Sequence, residues 1–266
     1  MNREDYQPKI SVVMAVLNGQ DYLAEAIESV LGQTFSDFEF YIVNDGSVDG
    51  TEDIIEKYLG KDSRIKYLKN EINSGQSKSW NRAIEAARGE FIIRMDADDV
   101  CVLDRFEKQY QYMISHLDVG VLGSRYYIFS NERNKKIESP IFFNIKDGRP
   151  PVHHPTCCIR RSLFQSFGYY DSKYDSAEDA ELWYRFYSSG VKFANLDEYL
   201  LLYRVHGGNV SVKKIKKQIY LQFKINLLAI FKYRINLSLK GYLRLLEQIA
   251  YLAYLSLGLD RIYRKG

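Results

Sequence analysis

Residues 10–19, with the sequence ISVVMAVLNG, carry the strongest fold signal in the chain. The first seven, Ile10–Val16, form a nearly continuous apolar run, which is typical of a parallel β-strand buried on both faces of a sheet. The polar pair Asn18-Gly19 follows the run. The next apolar residues recur at the three- and four-residue spacing of one face of an amphipathic helix: Tyr22, Leu23, Ala26, Ile27, Val30 and Leu31.

The alternation of strand and helix continues to about residue 100. Strand patterns cover Phe38–Asn44, Arg64–Leu68 and Glu90–Met95. Thr51 is the predicted cap of a short helix, and Gln76–Arg88 is the next helix along the chain. Such alternation predicts an α/β fold with a parallel sheet and helices on both of its faces.

The remaining sequence is less regular. A helical pattern around Phe106–Leu117 and a strand at Val119–Phe129 precede a segment rich in proline, glycine and charge, Asn131–Pro151, which we interpret as a mobile loop. Further predicted elements are a helix at Asp179–Ser188, a strand at Leu200–Val205 and two long helices at Val212–Tyr233 and Leu237–Leu257.

Composition excludes several classes of protein. The chain has 266 residues, of which 46% are hydrophobic and 27% charged, as in a folded globular protein. Three cysteines cannot make a disulfide framework, so a reducing compartment is expected. The N-terminus lacks the apolar segment of a signal peptide. The longest uncharged apolar run, between Glu247 and Asp260, is far shorter than the roughly 20 residues of a membrane span, so no integral membrane protein is expected.

The net charge of +3 conceals an asymmetry. Residues 1–210 carry 25 Lys and Arg against 32 Asp and Glu, whereas residues 211–266 carry 12 against 2. The acidic body argues against nucleic acid as the substrate, because duplex binding normally requires a basic surface. The basic C-terminal part suggests an appendage with its own partner.

Polar clusters follow each predicted strand, where ligands bind in open α/β sheets. They are Asn18-Gly19, Asn44-Asp45-Gly46-Ser47, Asn73-Ser74-Gly75 and Asp96-Ala97-Asp98-Asp99. Each could be turn chemistry alone, but four at one edge favour a site. Three carboxylates within four residues repel one another, and Mg²⁺ or Mn²⁺ resolves that repulsion. A helix-capping role accounts for one of the three at most.

Other candidate functional residues have more than one interpretation. Glu178-Asp179 is either a helix N-terminal cap or the source of a general base. His153-His154 with Cys157-Cys158 has poor spacing for zinc. No glycine-rich dinucleotide or P-loop motif is present, so the sequence lacks the usual evidence for hydride transfer or ATP hydrolysis.

Together these motifs resemble family 2 of the glycosyltransferases over about residues 8–210. Two positions depart from the family pattern: Asn44 replaces the usual first Asp of Asp-Asp-Gly-Ser, and Leu17 replaces an aromatic residue. The Gln-x-x-Arg-Trp motif of processive members is absent, which favours one or few additions over polymerisation. The matching segments are Ile10–Gly19, Gln33–Glu39, Ile42–Ser47, Asn73-Ser74-Gly75, Asn81, Gly89-Glu90, Asp96–Asp99, Glu178-Asp179 with Leu182-Trp183, and Tyr203–His206.

The resemblance implies a GT-A fold, with a nucleotide-sugar-binding half (1–100), an acceptor-binding half (100–210) and, beyond them, a basic helical tail (211–266). It implies that Asp45 reads the nucleobase, that Asp98 and Asp96 hold the metal with Asp96 near the ribose, and that Asp179 is the catalytic base. The remaining donor-binding candidates are Ala15, Leu17, Asn18, Asn73, Lys78 and His206. Lys78 is equally well explained as a solvated helix residue.

The implied activity is an inverting, metal-dependent hexosyl transfer from a nucleoside-diphosphate sugar, with uracil the expected base, to a hydroxyl acceptor in surface glycan synthesis. Mn²⁺ or Mg²⁺ is the expected cofactor. A glycan or lipid-linked acceptor is the expected partner, and a second copy of the chain is a further candidate. The expected location is the cytoplasm, with the basic tail either at an anionic membrane or packed on the body. The alternatives are a sugar-1-phosphate nucleotidyltransferase and an inactive nucleotide-sugar-binding protein.

Overall fold

The computed structural model describes residues 7–130, 133–139, 144–207 and 215–256. In these residues the chain forms a mixed sheet of nine strands flanked by helices. The strands are β1 (Ile10–Val16), β2 (Phe38–Asp45), β3 (Ile65–Asn70), β4 (Phe91–Asp96), β5 (Val100–Cys101), β6 (Val119–Ser130), β7 (Arg133–Glu138), β8 (Cys158–Arg160) and β9 (Lys192–Arg204). The α-helices are α1 (Leu23–Leu31), α2 (Thr51–Leu59), α3 (Gln76–Ala86), α4 (Arg105–Ser115), α5 (Arg161–Phe167), α6 (Glu178–Ser188), α7 (Ile215–Phe231) and α8 (Leu239–Ser256).

The N-terminal part of the sheet is parallel, as the apolar runs predict. β1 lies between β2 and β4, so that Ala15 is paired with Val43 on one side and with Asp96 on the other. Every residue of β1 and β2 is buried. The order β3-β2-β1-β4 brings the carboxyl ends of four strands to one edge of the sheet.

The sheet continues without a break into the C-terminal part. β8 pairs antiparallel with β4 and also with β6, and β6 pairs in parallel with β9 along its whole length. The short β5 pairs with the end of β9, opposite Leu201 and Leu202. This pairing brings the last residues of β9 next to the loop that follows β4.

Two apolar cores lie on the two faces of the sheet. On one face, α1, α2 and α4 cover β1, β2 and β4 through residues such as Ile27, Ile55 and Phe106. On the other face, α3, α5 and α6 pack through residues such as Trp80 and Trp183. Cys157 and Cys158, which are free thiols, lie in opposite cores because successive strand residues point to opposite faces.

The segment Asn131–Pro151 differs from the predicted loop. Its described residues include β7, which pairs with the second half of β6, and a 3₁₀ turn at Ile145–Asp147 that buries Ile145. The prediction was wrong there because backbone pairing to the long β6 and a capping bond from Lys146 N to Asn144 Oδ1 (2.9 Å) override the turn-like composition.

Two other boundaries also differ from the sequence pattern. β9 begins at Lys192, eight residues before the predicted Leu200, because its polar first half is paired along β6. Thr51 is the first residue of α2 and not its cap; Gly50 occupies the cap position. The Thr51 hydroxyl instead accepts a hydrogen bond from Gly19 N (2.8 Å) and so ties α2 to the loop after β1.

The C-terminal helices pack against the rest of the described chain. α7 buries Leu221, Ile225 and Ala229 in the core that α6 also lines. Other apolar residues of this helix, among them Tyr220 and Phe231, are exposed.

The lysine cluster ahead of α7 is described only in part. Lys216 and Lys217 are exposed, whereas Lys213 and Lys214 lie outside the described residues, as does the predicted helix start at Val212. Among the described helices, none combines the length and the apolar character that crossing a membrane requires.

Candidate active site

The loops after β1, β2 and β3 are joined by hydrogen bonds at the carboxyl edge of the sheet. Asn18, in a left-handed conformation (φ 52°), receives a bond at Oδ1 from Val48 N (2.9 Å) and donates its own N–H to Ser47 Oγ (2.9 Å). Gly46 has φ 77°, and a Cβ there would lie 2.7 Å from Asn73 N. Only glycine fits this close approach between the second and third loops.

Asp45 is the centre of this loop cluster. Its carboxylate accepts hydrogen bonds from Asn70 Nδ2 (2.8 Å), Ser74 N (2.9 Å) and Gly75 N (2.9 Å), and only 3% of the residue is exposed. Burial raises the pKa of Asp45, but the bonds from Asn70 and Ser74 outweigh it, so that the net pKa lies below its usual value. Asp45 is therefore an ionised acceptor held in a fixed position.

The other donor-binding candidates surround this cluster at different depths. Ala15 is buried in β1, whereas Leu17 is 43% exposed at its end. Asn73 is exposed and accepts a hydrogen bond from Gly75 N (3.0 Å). Lys78 is exposed on α3.

The segment after β4 brings three carboxylates together. Oxygen atoms of Asp96, Asp98 and Asp99 all lie within 4.8 Å of one another. Asp96 forms a two-pronged ion pair with Arg94, in which Arg94 Nη1 donates to Oδ2 at 2.5 Å. Asp99 Oδ1 accepts from Arg204 N (2.9 Å), while its buried Oδ2 has no hydrogen-bond partner among the described residues.

Electrostatics at this cluster favour a cation. Burial raises the pKa of Asp96; Arg94 opposes this effect and Asp98 adds to it. Burial, together with the charges of Asp96 and Asp98, raises the pKa of Asp99 well above its usual value. Hard oxygen donors at this spacing, one of them without a partner, fit Mg²⁺ or Mn²⁺.

His206, which follows the end of β9, contacts the acidic cluster. Its Nε2 lies 2.9 Å from Asp98 Oδ2, and its ring packs on Tyr22 with the centroids 4.7 Å apart. Arg204, two residues earlier, donates from Nε to the backbone oxygen of Asp98 (2.8 Å) and pairs with Glu25. The end of β9 thus fixes both the backbone and the carboxylate of Asp98.

Asp179 lines the same cavity, of about 240 Å³, as Asp96 and Asp98. It lies in the first turn of α6, where the helix dipole favours negative charge. Burial raises its pKa, while the backbone N–H of Ala180 and the charge of Arg94 act in the opposite direction. The cavity wall includes Asp96, Asp98 and Asp179, together with Gln76, Trp80, Arg94, His154, Pro155, Ser176, Glu178, Tyr203 and Gln218.

Glu178 precedes Asp179 and has a different environment. Burial, followed by repulsion from Asp179, raises the pKa of Glu178 to about 7. Its Oε2 accepts a bond from Ser176 N (2.6 Å), and Ser176 itself has φ 92°. Positive φ is costly for serine, so the turn before α6 stores strain beside the cavity.

The structure therefore gathers the predicted residues into two groups. Asp96, Asp98 and Asp179 line one cavity and His206 contacts Asp98. The second group, at the neighbouring loops, includes Asp45 and Asn73 with Asn18. Ala15 connects the groups, because it is paired with Asp96 in the sheet.

Sequence reasoning missed Arg94 and Asp175. Arg94 is buried, lies 4.6 Å from the centre of the Trp80 ring and holds Asp96. A lone arginine in the apolar strand β4 is a signal that could have been found. Asp175 accepts a hydrogen bond from Ser77 Oγ (2.6 Å) and so fastens the turn before α6 to α3, a contact that no local pattern indicates.

His154 was considered with zinc and is part of the aromatic wall instead. Its Nε2 lies 2.8 Å from Tyr170 Oη, and its ring packs edge-on against Trp80. Burial, aided by the charge of Arg94, lowers the pKa of His154 well below its usual value. His154 is therefore a neutral residue of the core beside the cavity.

Comparison with known proteins gives a consistent result. Residues 11–169 match the sequence model of glycosyl transferase family 2. An uncharacterized glycosyltransferase of Methanocaldococcus jannaschii is 37% identical over 221 residues, which cover 80% of this chain and 76% of that protein. The Escherichia coli protein WfaP, named as a UDP-Glc:α-D-GlcNAc-diphosphoundecaprenol β-1,3-glucosyltransferase, is 28% identical over 248 residues, covering 85% of this chain and 93% of WfaP.

A solved structure shares the fold. The mannosyltransferase PcManGT of Pyrobaculum calidifontis, crystallised with GDP-Man and Mn²⁺, superposes with a TM-score of 0.68 at 17% identity. The match covers 93% of this chain and 70% of that one. The predicted GT-A arrangement is thereby confirmed.

The raised pKa of Glu178 generates a prediction about stability. A carboxyl group whose pKa is higher in the folded than in the unfolded protein makes the free energy of unfolding fall as pH rises, here from 4.5 to about 7. Glu178→Gln should remove that fall and increase the free energy of unfolding at pH 8 by about 3 kcal/mol, with no gain at pH 4. Urea unfolding of the metal-free protein at both pH values measures the difference.

The matched control is Glu85→Gln on the exposed side of α3. It should track the parent at both pH values. An equal effect of the two substitutions, or a gain at pH 4 as large as at pH 8, would contradict the assigned environment of Glu178.

Proposed function

Because the chain belongs to glycosyl transferase family 2, we propose that it transfers a sugar from a nucleoside-diphosphate donor to a hydroxyl group of a glycan acceptor, with inversion of the anomeric carbon. The observation that carries this proposal is the cavity lined by both Asp98 and Asp179. Such a transfer needs two parts. One is a carboxylate cluster that can hold a metal diphosphate, and the other is a separate carboxylate that can act as the base.

The donor nucleoside lies, in this proposal, at the loop cluster around Asp45. An ionised carboxylate in a fixed position suits the N–H group of a uracil, thymine or guanine ring. Ala15, Leu17 and Asn73 supply the walls of this pocket. Uracil is the base we favour, because the relative WfaP is named for UDP-Glc.

The diphosphate lies next to Asp98 and Asp96, which would hold Mn²⁺ or Mg²⁺. When bound, the cation supplies Lewis-acid stabilisation of the charge on the leaving diphosphate. His206 orients the Asp98 carboxylate, and Arg94 holds Asp96 in place. The similarity to a fold crystallised with GDP-Man and Mn²⁺ supports this assignment.

Asp179 removes the proton from the acceptor hydroxyl in this scheme. Burial brings its pKa closer to neutrality and so increases its strength as a base. The hydroxyl oxygen attacks the anomeric carbon on the face opposite to the diphosphate, which inverts the configuration. Trp80 forms an apolar part of the wall of the same cavity.

The acceptor we propose is a lipid-linked glycan at the cytoplasmic face of a membrane. The relative WfaP is named for a diphosphoundecaprenol acceptor. α8 presents an exposed apolar face, of which Leu239 is 77% and Leu246 is 60% exposed, and α7 begins with the exposed Lys216 and Lys217. Exposed apolar residues and lysines on neighbouring helices are suited to a surface with anionic lipid. The exposed face comprises Leu239, Tyr242, Leu243, Leu246 and Ile249.

The metal assignment is tested at Asp98. Asp98→Ala should abolish transfer and sharply weaken Mn²⁺-dependent binding of UDP, whereas Asp99→Asn should reduce both by about 10- to 100-fold, because we assign the metal to Asp98 and Asp96 and only support to Asp99. Titration calorimetry of UDP with and without Mn²⁺ reads out the binding. Equal Mn²⁺-dependent affinity in Asp98→Ala and the parent would refute the assignment.

The base assignment is tested at Asp179. Asp179→Asn should lower kcat by about 10²- to 10⁴-fold and leave the Kd of the donor within about twofold, because a base acts on the acceptor. Single-turnover transfer and donor titration measure the two quantities. If donor affinity collapses together with turnover, Asp179 binds the donor or caps α6 instead.

The membrane assignment is tested by co-sedimentation with vesicles. Binding should appear with phosphatidylglycerol vesicles and fade at high salt, because each lysine near an anionic surface contributes about 1 kcal/mol. Replacement of Lys213, Lys214, Lys216 and Lys217 by glutamine should abolish it. Substitution is preferable to truncation after Val210, which would remove buried residues of α7.

A matched control replaces four lysines of the N-terminal half and should bind like the parent. An equal loss of vesicle binding in this control would show that net charge alone causes the effect. No binding to anionic vesicles at low salt would leave the tail with its packing role alone. The control lysines are Lys9, Lys57, Lys61 and Lys66, all exposed.

A further inference from the structure

A second cavity, of about 560 Å³, adjoins the acidic one. The two share Ser176, Asp179 and Gln218 in their walls, so Asp179 lies at the boundary between them. The outer walls of the second cavity come from α7, α8 and the residues Arg149-Pro150. A group in this cavity therefore reaches Asp179 without passing through the space assigned to the donor.

Two arginines give the second cavity its chemical character. Arg149 and Arg244 both line it, and Arg244 is half-buried. Burial and the charge of Arg149 lower the pKa of Arg244, although Glu247 and Asp147 act against this effect. The other polar residues of the wall are the neutral Ser176, Gln218, Gln222, Gln248 and Tyr251 and the carboxylates Asp179 and Glu247.

The arginines are held by a close junction between α8 and the turn at Ile145–Asp147. A Cβ at Gly241 would lie 2.3 Å from Lys146 O, so that the helix backbone packs directly on the turn. Ser238 N donates to the same oxygen (2.8 Å), and Ser238 Oγ pairs with Asp147. The junction places Arg149 and Arg244 on one cavity wall.

A second set of contacts fixes the helices around the cavity. Asn226 of α7 is fully buried, accepts a hydrogen bond at Oδ1 from Tyr184 Oη of α6 (3.0 Å) and donates from Nδ2 to Gln248 Oε1 of α8 (3.0 Å). This residue joins the three helices that surround the cavity. The helices around the second cavity are therefore held in place by specific hydrogen bonds.

We propose that the second cavity is the acceptor subsite and binds a diphosphate-linked sugar, with Arg149 and Arg244 as ligands of the diphosphate. Guanidinium groups pair with phosphate oxygens through two parallel hydrogen bonds, which suits two arginines to two phosphates. The acceptor sugar then lies towards Asp179. The inference rests on the proposed function in taking Asp179 as the base, whereas the anion site itself stands without it.

Anion binding is measured first, on the full chain in EDTA, with inorganic pyrophosphate as the calorimetric probe. The parent should bind, Arg149→Gln and Arg244→Gln should each weaken binding at least tenfold, and Arg244→Lys should retain part of it. Lys240→Gln, on an exposed position of α8 outside the cavity wall, is the matched control and should bind like the parent.

Three outcomes would overturn the anion site: no binding by the parent, unchanged affinity in folded Arg244→Gln and Arg149→Gln, or an equal loss in Lys240→Gln. Thermal melts establish that the variants are folded. If Arg244→Gln does not fold, Arg244→Lys and Arg149→Gln decide the question.

Transfer kinetics then separate this inference from the proposed function. With N-acetylglucosamine diphosphoryl-alkyl as acceptor, Arg244→Gln should raise the acceptor KM at least tenfold, whereas Lys240→Gln should leave both the acceptor KM and donor hydrolysis unchanged. With the neutral alkyl glycoside, KM should be the same in the variant and the parent. Absence of donor hydrolysis in the parent would refute the proposed function, whereas equal KM effects on both acceptors would refute the acceptor subsite alone.

Discussion

The repulsion among the carboxylates after β4 is the constraint on which the site depends. Asp96, Asp98 and Asp99 lie within one small volume of low solvent exposure, where like charges strongly disfavour joint ionisation. The fold offsets the repulsion with the buried Arg94, whose guanidinium pairs with Asp96, and with the backbone N–H of Arg204, which donates to Asp99 Oδ1. Asp99 Oδ2 nevertheless has no hydrogen-bond partner among the described residues, and the three carboxylates together could hold a cation.

The same constraint explains why distant parts of the chain meet here. Arg204 comes from the end of β9, and its reach to Asp98 and Asp99 depends on the pairing of β9 with β5 and β6. Asp179 is held at the cavity by α6, whose preceding turn is fastened to α3 through Asp175 and Ser77. The C-terminal helices complete the wall, so the tail is part of the site's architecture.

Much of the N-terminal half could be predicted from sequence, because its signals are local. Ile10–Val16 is apolar because both faces of β1 are covered, and the polar residues after each strand mark one edge of the sheet. β9 could not be predicted in full, because its polar first half is a strand only through pairing with β6. The buried face of α7 was also missed, since apolar residues occur all around that helix and only tertiary packing selects Leu221 and Ile225.

The parts of the candidate site also differ in how far the sequence predicts them. The acidic cluster is visible in sequence as three carboxylates within four residues, and Asp179 stands out through the resemblance and its place at a helix start. The second cavity has no sequence signal, because its walls come from segments as far apart as Arg149, Asp179 and Arg244. Arg94 is an intermediate case. Its charge within an apolar strand is visible in the sequence, but the importance of its pairing with Asp96, two residues away, is clear only when the cavity is known.

We propose that Asp98 holds a cation at the donor diphosphate while Asp179 lies on the other side of the transferred sugar. Diffraction at the manganese edge, from crystals grown with Mn²⁺ and UDP, would locate that cation. We expect one strong anomalous peak about 2 Å from an Asp98 carboxylate oxygen and from the diphosphate, with the Asp179 carboxylate outside the coordination sphere. A peak away from Asp98, or one coordinated by Asp179, would show that these roles are wrong.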